Sequence, residues 1–363
     1  MSELEEGDCP VETDPDVEIT CGTIAVPTDH DDPNADMIDL AVATLPAADD
    51  SDATPIFLLG GDRESTRWSR SSRALTPDAP FLELAASRDV VAAESFDGAI
   101  AAVGDECAAD PTCRADYPDV TENVQRLVEQ LDATPMVEVT DPATEQVAQV
   151  PVDGAALATI LFGLFYIPDG PATIPFLVTS LAAGDLSGLE GLASQPSPAV
   201  VSQGQQLSFL CAEEAAVADP EDLTTGDLGV GSRLVESNPV IGSTLWELCE
   251  VWDVEAGDEE TFEPVDTEVP LLVVTGQFDQ ITPPSYGETV ADAADTAWYV
   301  EVPGVGHAPL TAAGECGLGV LEAFVAQPTD EPDAGCVDEG PGFATPDEIA
   351  AQGDEASPAP PSG

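Results

Sequence analysis

The chain has 363 residues, 43% of them hydrophobic, which is enough to bury one large core or two ordinary ones and argues against a disordered or fibrous protein. Its 71 acidic residues face only 8 basic ones, all of them Arg, so that the formal net charge is -63. A surface this negative repels phosphate groups, which excludes charge-driven binding to nucleic acid or to a membrane surface. We interpret the acidity as adaptation to concentrated salt in a halophilic, in particular haloarchaeal, organism, because about 1 M salt shortens the screening length to about 3 Å.

Four short apolar segments near the start of the chain are predicted as β-strands, because clusters of Asp, Pro and Gly bound them. They are Gly22–Pro27, Met37–Leu45, Pro55–Leu59 and Asp89–Ala93. The polar turn Asp29–Pro33 separates the first two, which predicts a hairpin with His30 in solvent.

The middle of the chain, from about residue 96 to 262, has a helical pattern. Asp119 and Glu122 have the spacing of a capping box, and the apolar residues after them recur on one helical face. The most apolar stretch, Gly154–Asp185, holds a single internal charge at Asp169. Pro168–Pro171 splits it into pieces shorter than the roughly 20 residues that a membrane-spanning helix needs. We therefore predict two buried helices and no integral membrane segment.

Strand signals return near the end of the chain, at Pro270–Thr275 and Ala297–Val302, with a helical stretch between them and another helix at Cys316–Ala326. Beyond Cys336 the composition becomes rich in Gly, Pro, Ala and Asp, which predicts a disordered tail. Strands, then helices, then strands alternating with helices are typical of an α/β core interrupted by a helical insertion.

Eight cysteines favour disulfide bonds over a metal site: Cys9, Cys21, Cys107, Cys113, Cys211, Cys249, Cys316 and Cys336. None has the C-x-x-C spacing of a zinc site, so we expect no metal and no other cofactor. About 105 pairings are open to eight cysteines. Disulfides form in oxidising compartments, which predicts an extracellular or cell-surface protein. Because the opening residues MSELEEGDCP lack the features of a signal peptide, we expect a misplaced start codon or a lost leader.

An acidic residue and a histidine follow the last two predicted strands. Asp279 lies in the polar turn after the first of them, and His307 follows the second, 28 residues later. The carboxyl ends of neighbouring strands can bring the two side chains together, with the carboxylate holding the imidazole as a general base. Asp before His is also the order of these triad members in α/β-hydrolases. The alternative is that Asp279 caps a turn and His307 is an ordinary loop histidine.

Several segments of the chain resemble the secreted tripeptidyl-aminopeptidase-like and prolyl-iminopeptidase-like α/β-hydrolases. The most specific are EPVDTEVPLLVVTGQFDQITPP and VPGVGHAPL, and the resemblance extends to LSFLCAEE, ELCEVWDV, CAADPTCRADYPDV and CGTIAVPTDHDDP, so that it covers most of the chain. It implies a Ser-Asp-His hydrolase that releases short peptides or single residues from a free amino terminus, with Asp279 as the triad acid and His307 as the base. A small peptide or ester is then the expected substrate.

The resemblance implies an α/β-hydrolase fold, a mostly parallel sheet with flanking helices and an inserted helical cap. We assign residues 1–95 to the N-terminal part of the core, 96–262 to the helical cap, 263–336 to the part of the core that carries the acid and base, and 337–363 to the disordered tail. Each of four local cysteine pairs brackets a segment that matches the family, and short loops close at low entropic cost. The pairs are Cys9 with Cys21, Cys107 with Cys113, Cys211 with Cys249, and Cys316 with Cys336.

The nucleophile expected from the resemblance is missing, because no G-x-S-x-G motif occurs in the chain. Only residues 92–106 stand where the family has its nucleophile strand and elbow, so about 80 or more residues and the central strands of the sheet are absent. Ser95 has a partial elbow context, although Asp97 stands where the elbow needs Gly. The alternative is that Ser95 caps a helix that begins near Phe96.

The oxyanion loop is altered as well. Gly60 and Gly61 match its start, but Asp62 follows them, and a carboxylate there would oppose the developing negative charge. Both defects predict a catalytically impaired hydrolase that keeps its acid and base. The alternative is a non-catalytic module that binds peptides or serves as a scaffold.

Overall fold

The computed structural model describes residues 5–7, 19–27, 34, 37–44, 89–133, 136–140, 147–185, 203–217, 229–237, 244–252, 254–256, 269–307, 309–337, 340, 342–346 and 348–349. The chain divides into two compact units, Met1–Pro77 and Asp78–Gly363.

The first unit contains a three-stranded antiparallel sheet in the order β1 (Glu5–Gly7), β2 (Thr20–Pro27), β3 (Met37–Thr44). The β2–β3 register pairs Thr20 with Thr44 at one end and Pro27 with Met37 at the other, so the predicted hairpin is confirmed. β1 was not predicted, because its sequence EEG carries no apolar residue. The predicted strand at residues 55–59, the glycines Gly60 and Gly61, and His30 lie outside the described residues.

The described helices all lie in the second unit, together with two further pairs of strands. The helices are α1 (Asp89–Ala109), α2 (Pro111–Asp116), α3 (Val120–Ala133), α4 (Gly154–Leu164), α5 (Gly170–Ala182), α6 (Gln203–Phe209), α7 (Ala215–Val217), α8 (Gly231–Ser237), α9 (Thr244–Trp252), α10 (Pro284–Ala293), α11 (Pro309–Ala312) and α12 (Gly314–Ala326). The strands are the antiparallel pair β4 (Met136–Thr140) and β5 (Val147–Pro151) and the parallel pair β6 (Leu271–Gly276) and β7 (Ala297–Val302). Among the described residues, parallel pairing is thus confined to β6 and β7, and the larger sheet of a hydrolase stays a prediction.

Helices α1, α3, α4 and α5 enclose the main hydrophobic core of this unit. Phe96, Ile100 and Val103 of α1 are buried there with Leu157 and Leu161 of α4. The prediction of a strand at residues 89–93 is wrong, because these residues form the start of α1. An apolar run of four residues suits either structure, and the helical spacing of the buried residues after it decides for the helix.

The split of the apolar stretch into two helices is confirmed. Asp153 caps α4 by accepting a hydrogen bond from the Ala156 backbone N–H at 2.9 Å. The break at Pro168–Pro171 separates α4 from α5, and both helices bury apolar side chains. No helix in the described part of the chain has the length and apolar character needed to cross a membrane.

Three of the four predicted disulfides lie wholly within the described residues, and all three are confirmed. Cys107–Cys113 joins α1 to α2, Cys211–Cys249 joins the π-helical turn Leu210–Glu214 to α9, and Cys316–Cys336 joins α12 to a 3-10 turn. Cys21 is also disulfide-bonded, and Cys9, its predicted partner, lies outside the described residues.

Part of the predicted tail packs against the helices. Phe343 contacts the main core, and the Tyr117 hydroxyl donates a hydrogen bond to the Ala344 carbonyl at 2.8 Å. The Ala344 N–H donates to the Ala172 carbonyl at 3.2 Å. Residues 342–346, which lie in the segment predicted to be disordered, thus make tertiary contacts, and the partly buried ring of Phe343 helps to offset the entropy of ordering them.

Candidate functional site

The site is built on the two parallel strands. Because β6 and β7 run in the same direction, with Gly276 opposite Val302, both chains leave the pair at one edge. The two following turns interlock: the Gln277 N–H donates to the Val302 carbonyl at 3.0 Å and the Phe278 N–H to the Val305 carbonyl at 2.9 Å. These bonds place Asp279 and the segment before His307 side by side.

The carboxylate of Asp279 is buried and accepts several hydrogen bonds. Its Oδ1 receives the backbone N–H groups of Ile281 at 2.9 Å and Thr282 at 2.8 Å. Its Oδ2 receives the Thr282 hydroxyl at 2.9 Å. Burying a carboxylate is costly unless its oxygens are hydrogen-bonded, and here the donors also fix the plane of the group. Asp279 therefore does cap a turn, and it has a second partner besides.

That second partner is His307. Its Nδ1 lies 2.9 Å from Asp279 Oδ2 and 3.2 Å from Oδ1, so the contact expected between the two side chains is present. The acid is 3% exposed in its side chain and the histidine 24%. A buried carboxylate on one ring nitrogen selects the tautomer and stabilises the imidazolium, while the partly exposed ring stays accessible to a reacting group.

A turn of the helical region holds the histidine from the other side. The Phe165 carbonyl, at the end of α4, accepts the His307 backbone N–H at 2.8 Å. The ring of Tyr166 meets the imidazole edge to face, with centroids 5.3 Å apart and planes at 72°. Gly306 lets the Phe165 backbone approach this closely, because a Cβ at residue 306 would stand 2.9 Å from Phe165 Cβ. The sequence predicted a break between these two helices, but nothing in it connected the break with His307, some 140 residues later.

A cavity of about 380 Å³ opens between α1 and the loop that leads into α10. Asp279 lines it, together with Gly98 and Ala99, which carry no side chain larger than a methyl group. The remaining lining residues are Glu94, Ser95, Ala102, Gln277, Pro283, Pro284, Ser285 and Tyr286. Asp279, Ser95 and Ser285 thus line one cavity, whereas His307 is not among its lining residues, and Ser285 was not identified from the sequence.

Residues 238–336 match the family model of the TAP-like protein, an α/β-hydrolase family. This segment resembles the TAP-like hydrolases. It contains Asp279, His307 and the Cys316–Cys336 disulfide, as the motifs predicted, and covers less than a third of the chain. No curated protein and no solved structure matches the chain.

The candidate nucleophile lies outside the TAP-like segment. Ser95 is in α1, six residues after the helix begins, so it has neither the strand-turn-helix geometry of an elbow nor the position of a helix N-cap. Both structures proposed for it from the sequence are therefore corrected. It lines the same cavity as Asp279, and its role as a nucleophile stays a prediction.

Other groups of the predicted site fall outside the part of the chain that can be described, namely Gly60 and Gly61 of the oxyanion loop. Where side chains are described, no group of three or more His, Cys, Asp or Glu is arranged to hold a metal ion. Within strands β6 and β7, which lead to Asp279 and His307, burial raises the pKa of the Tyr299 phenol. Its Oη lies 2.9 Å from Thr275 Oγ1. The phenol also donates to Glu301 Oε2 at 3.3 Å, so a carboxylate of the same strand lies beside it.

Replacing Thr282 by Val tests how the acid is held. The change keeps the shape of the side chain but removes the hydroxyl donor to Asp279, and we expect it to lower the free energy of unfolding by about 1.5 kcal/mol. Urea unfolding at constant molar salt measures this loss. Thr289→Val is the matched control, because that hydroxyl bonds only within its own helix, to the Ser285 carbonyl. Equal losses in both variants would contradict the role assigned to Thr282.

Proposed function

We propose that the chain is a hydrolase-type protein in which Asp279 and His307 are the acid and base of a serine-hydrolase triad. One observation carries the proposal, the 2.9 Å contact between Asp279 Oδ2 and His307 Nδ1 at the ends of two adjacent parallel strands. With Nδ1 bonded to the carboxylate, the other ring nitrogen is the one that would take a proton from a nucleophile and return it to the leaving group.

The substrate class we propose is a short peptide, or a small ester, bound through its free amino end, as the resemblance implies. The cavity supports a small ligand of this kind. Glu94 and Asp279 are the charged residues that line it, and no Arg or Lys occurs among the described residues of the lining. A free carboxylate would be repelled there, whereas an amino group would be attracted.

We further propose that turnover by this chain is low. The helical surroundings of Ser95 support this, because the hydroxyl is not presented on the sharp turn that exposes an elbow serine. Without that nucleophile, only the acceleration from binding and electrostatics is left. The second candidate function is a peptide-binding or scaffold module. The helical surroundings of Ser95 and the presence of the cavity support it as well.

The three described disulfides fit an oxidising environment, and we propose an extracellular or cell-surface location on that basis.

The test is a fluorophosphonate labelling of the protein in molar salt, combined with assays on aminoacyl, peptidyl and ester chromogenic substrates. We expect labelling well below one probe per chain and a rate no more than about 10³-fold above the uncatalysed reaction. Ser95→Ala, Ser285→Ala and His307→Ala are compared with the unchanged chain.

Full labelling that disappears in Ser95→Ala would overturn the low turnover and assign the nucleophile to α1. Loss in Ser285→Ala alone would assign it to α10. If His307→Ala leaves the labelling and the turnover of the unchanged chain undiminished, the acid–base role is wrong. Peptide binding in calorimetry, without any turnover, would favour the binding module.

A further inference from the structure

Two residues of the α4–α5 turn meet His307 at different points. The Phe165 carbonyl accepts its backbone N–H at 2.8 Å, and the Tyr166 ring lies against its imidazole at a centroid distance of 5.3 Å. Asp279 contacts the same imidazole at Nδ1. The histidine is therefore held at its main chain, at one ring nitrogen and at the ring itself.

These three contacts restrict different motions. The main-chain hydrogen bond sets where the side chain begins, and the carboxylate sets the position of Nδ1. A hydrogen bond at Nδ1 still permits the ring to tilt about the line that joins Nδ1 to Asp279 Oδ2. An aromatic ring that packs edge to face opposes this tilt, because the pair has a preferred interplanar angle.

The turn is itself well fixed. The Ile167 N–H donates to the Leu164 carbonyl at 3.0 Å, and the Gly170 N–H donates to the Ile167 carbonyl at 2.9 Å. The Tyr166 ring also packs on Phe162, at 5.8 Å between centroids and 65° between planes. Phe165 is fully buried in the main core. A rigid turn can impose an orientation on the group it contacts, which a mobile one cannot.

We propose that Tyr166 is a positioning residue that sets the tilt of the His307 imidazole, with the Phe165 carbonyl setting its main chain. The functional meaning rests on the proposed role of His307 as a base. The orientation itself does not depend on turnover and can be measured in an inactive protein.

The experiment uses histidine NMR and diethyl pyrocarbonate modification on the full chain in molar salt. The chain has only two histidines, so His30 serves as an internal reference. We compare Tyr166→Leu, which removes the aromatic ring, with Tyr166→Phe, which keeps it. Phe162→Leu is the control, because it removes the neighbouring ring that packs on Tyr166.

In Tyr166→Leu the ring-proton resonances of His307 should move, and its modification rate should rise about two- to tenfold, the range that an edge-to-face contact supports. Tyr166→Phe should stay closer to the original values than Tyr166→Leu does, and the His30 rate should be the same in every variant. Unchanged His307 resonances and rate in folded Tyr166→Leu would overturn the proposal. Equal effects of Phe162→Leu and Tyr166→Leu would also overturn it, since general packing would then be the cause.

A measurement on the unchanged chain keeps the proposal testable if Tyr166→Leu does not fold. Nuclear Overhauser contacts between the ring protons of Tyr166 and His307 are expected, and their absence in the folded protein would refute the contact. If these contacts are present while His307→Ala leaves the turnover of the unchanged chain undiminished, the positioning stands and the proposed function falls.

Discussion

Moving the protein from about 2 M to about 0.1 M KCl is expected to lower its melting temperature by on the order of 10 °C or more. The formal net charge is -63, with 8 basic residues in the whole chain. Two unit charges about 10 Å apart in water repel by about 0.4 kcal/mol, and the screening length grows from about 2 to about 10 Å on this dilution. Many such pairs sum to several kcal/mol, and each kcal/mol is about 2–4 °C in a domain of this size.

The described surface shows where the repulsion arises. Glu122 and Glu129 lie exposed on α3, and Glu288 and Asp292 lie exposed on α10. Arg233 is already engaged with Asp132 and Glu236. Screening by salt is therefore the main way in which the exposed carboxylates can be accommodated.

Thermal melts followed by tryptophan fluorescence test this expectation, with two controls. Sucrose stabilises compact states without screening charge, so sucrose at low salt should restore the melting temperature less than KCl does. A variant with Gln or Asn at Glu122, Glu129, Glu250, Glu288 and Asp292 should melt higher than the unchanged chain at low salt and equally at high salt. Identical melts of the unchanged chain in both salt concentrations would rule out the adaptation to concentrated salt.

Replacing Gly306 by Ala should lower the free energy of unfolding by about 2–4 kcal/mol, which corresponds to about 5–15 °C in melting temperature. The added Cβ would meet the Phe165 carbonyl oxygen first and would stand 2.9 Å from Phe165 Cβ, both closer than real Cβ atoms approach. The neighbouring group is backbone, so it cannot rotate away. The turn has to shift, and the hydrogen bond from the His307 N–H to the Phe165 carbonyl is weakened or lost.

Gly319→Ala is the matched control for this prediction. Gly319 lies within α12, and a Cβ there would meet no atom within 4 Å. Since Ala favours a helix over Gly, this variant should gain about 0.5–1 kcal/mol. Unfolding in urea at molar salt measures both. A Gly306→Ala protein that is as stable as the unchanged chain would show that the close approach of the turn to His307 is wrong.

Local features of the sequence were sufficient to predict the parts of the site that lie close together in the chain. A buried apolar run followed by a polar turn identified β6 with Asp279, and a similar pattern identified β7 with His307. The D-x-x-T spacing of Asp279 and Thr282 could also have identified the hydroxyl donor, because Thr three residues on can bond back to the carboxylate. Each of the three described disulfides also joins a cysteine to the next cysteine in the sequence.

Contacts between distant segments decided the rest. Residues 89–93 could form a strand or a helix by composition, and the burial of Phe96 and Ile100 among helices selected the helix, which removed the elbow geometry from Ser95. The orientation of His307 depends on Phe165 and Tyr166, which no motif connects with it. The sequence by itself determined the charge and the two strands that carry the acid and base, and together with the family resemblance it predicted the disulfide pairs in the described residues. The tertiary structure decided which turn contacts His307 and placed Ser95 within a helix, because packing between distant segments overrides local preference.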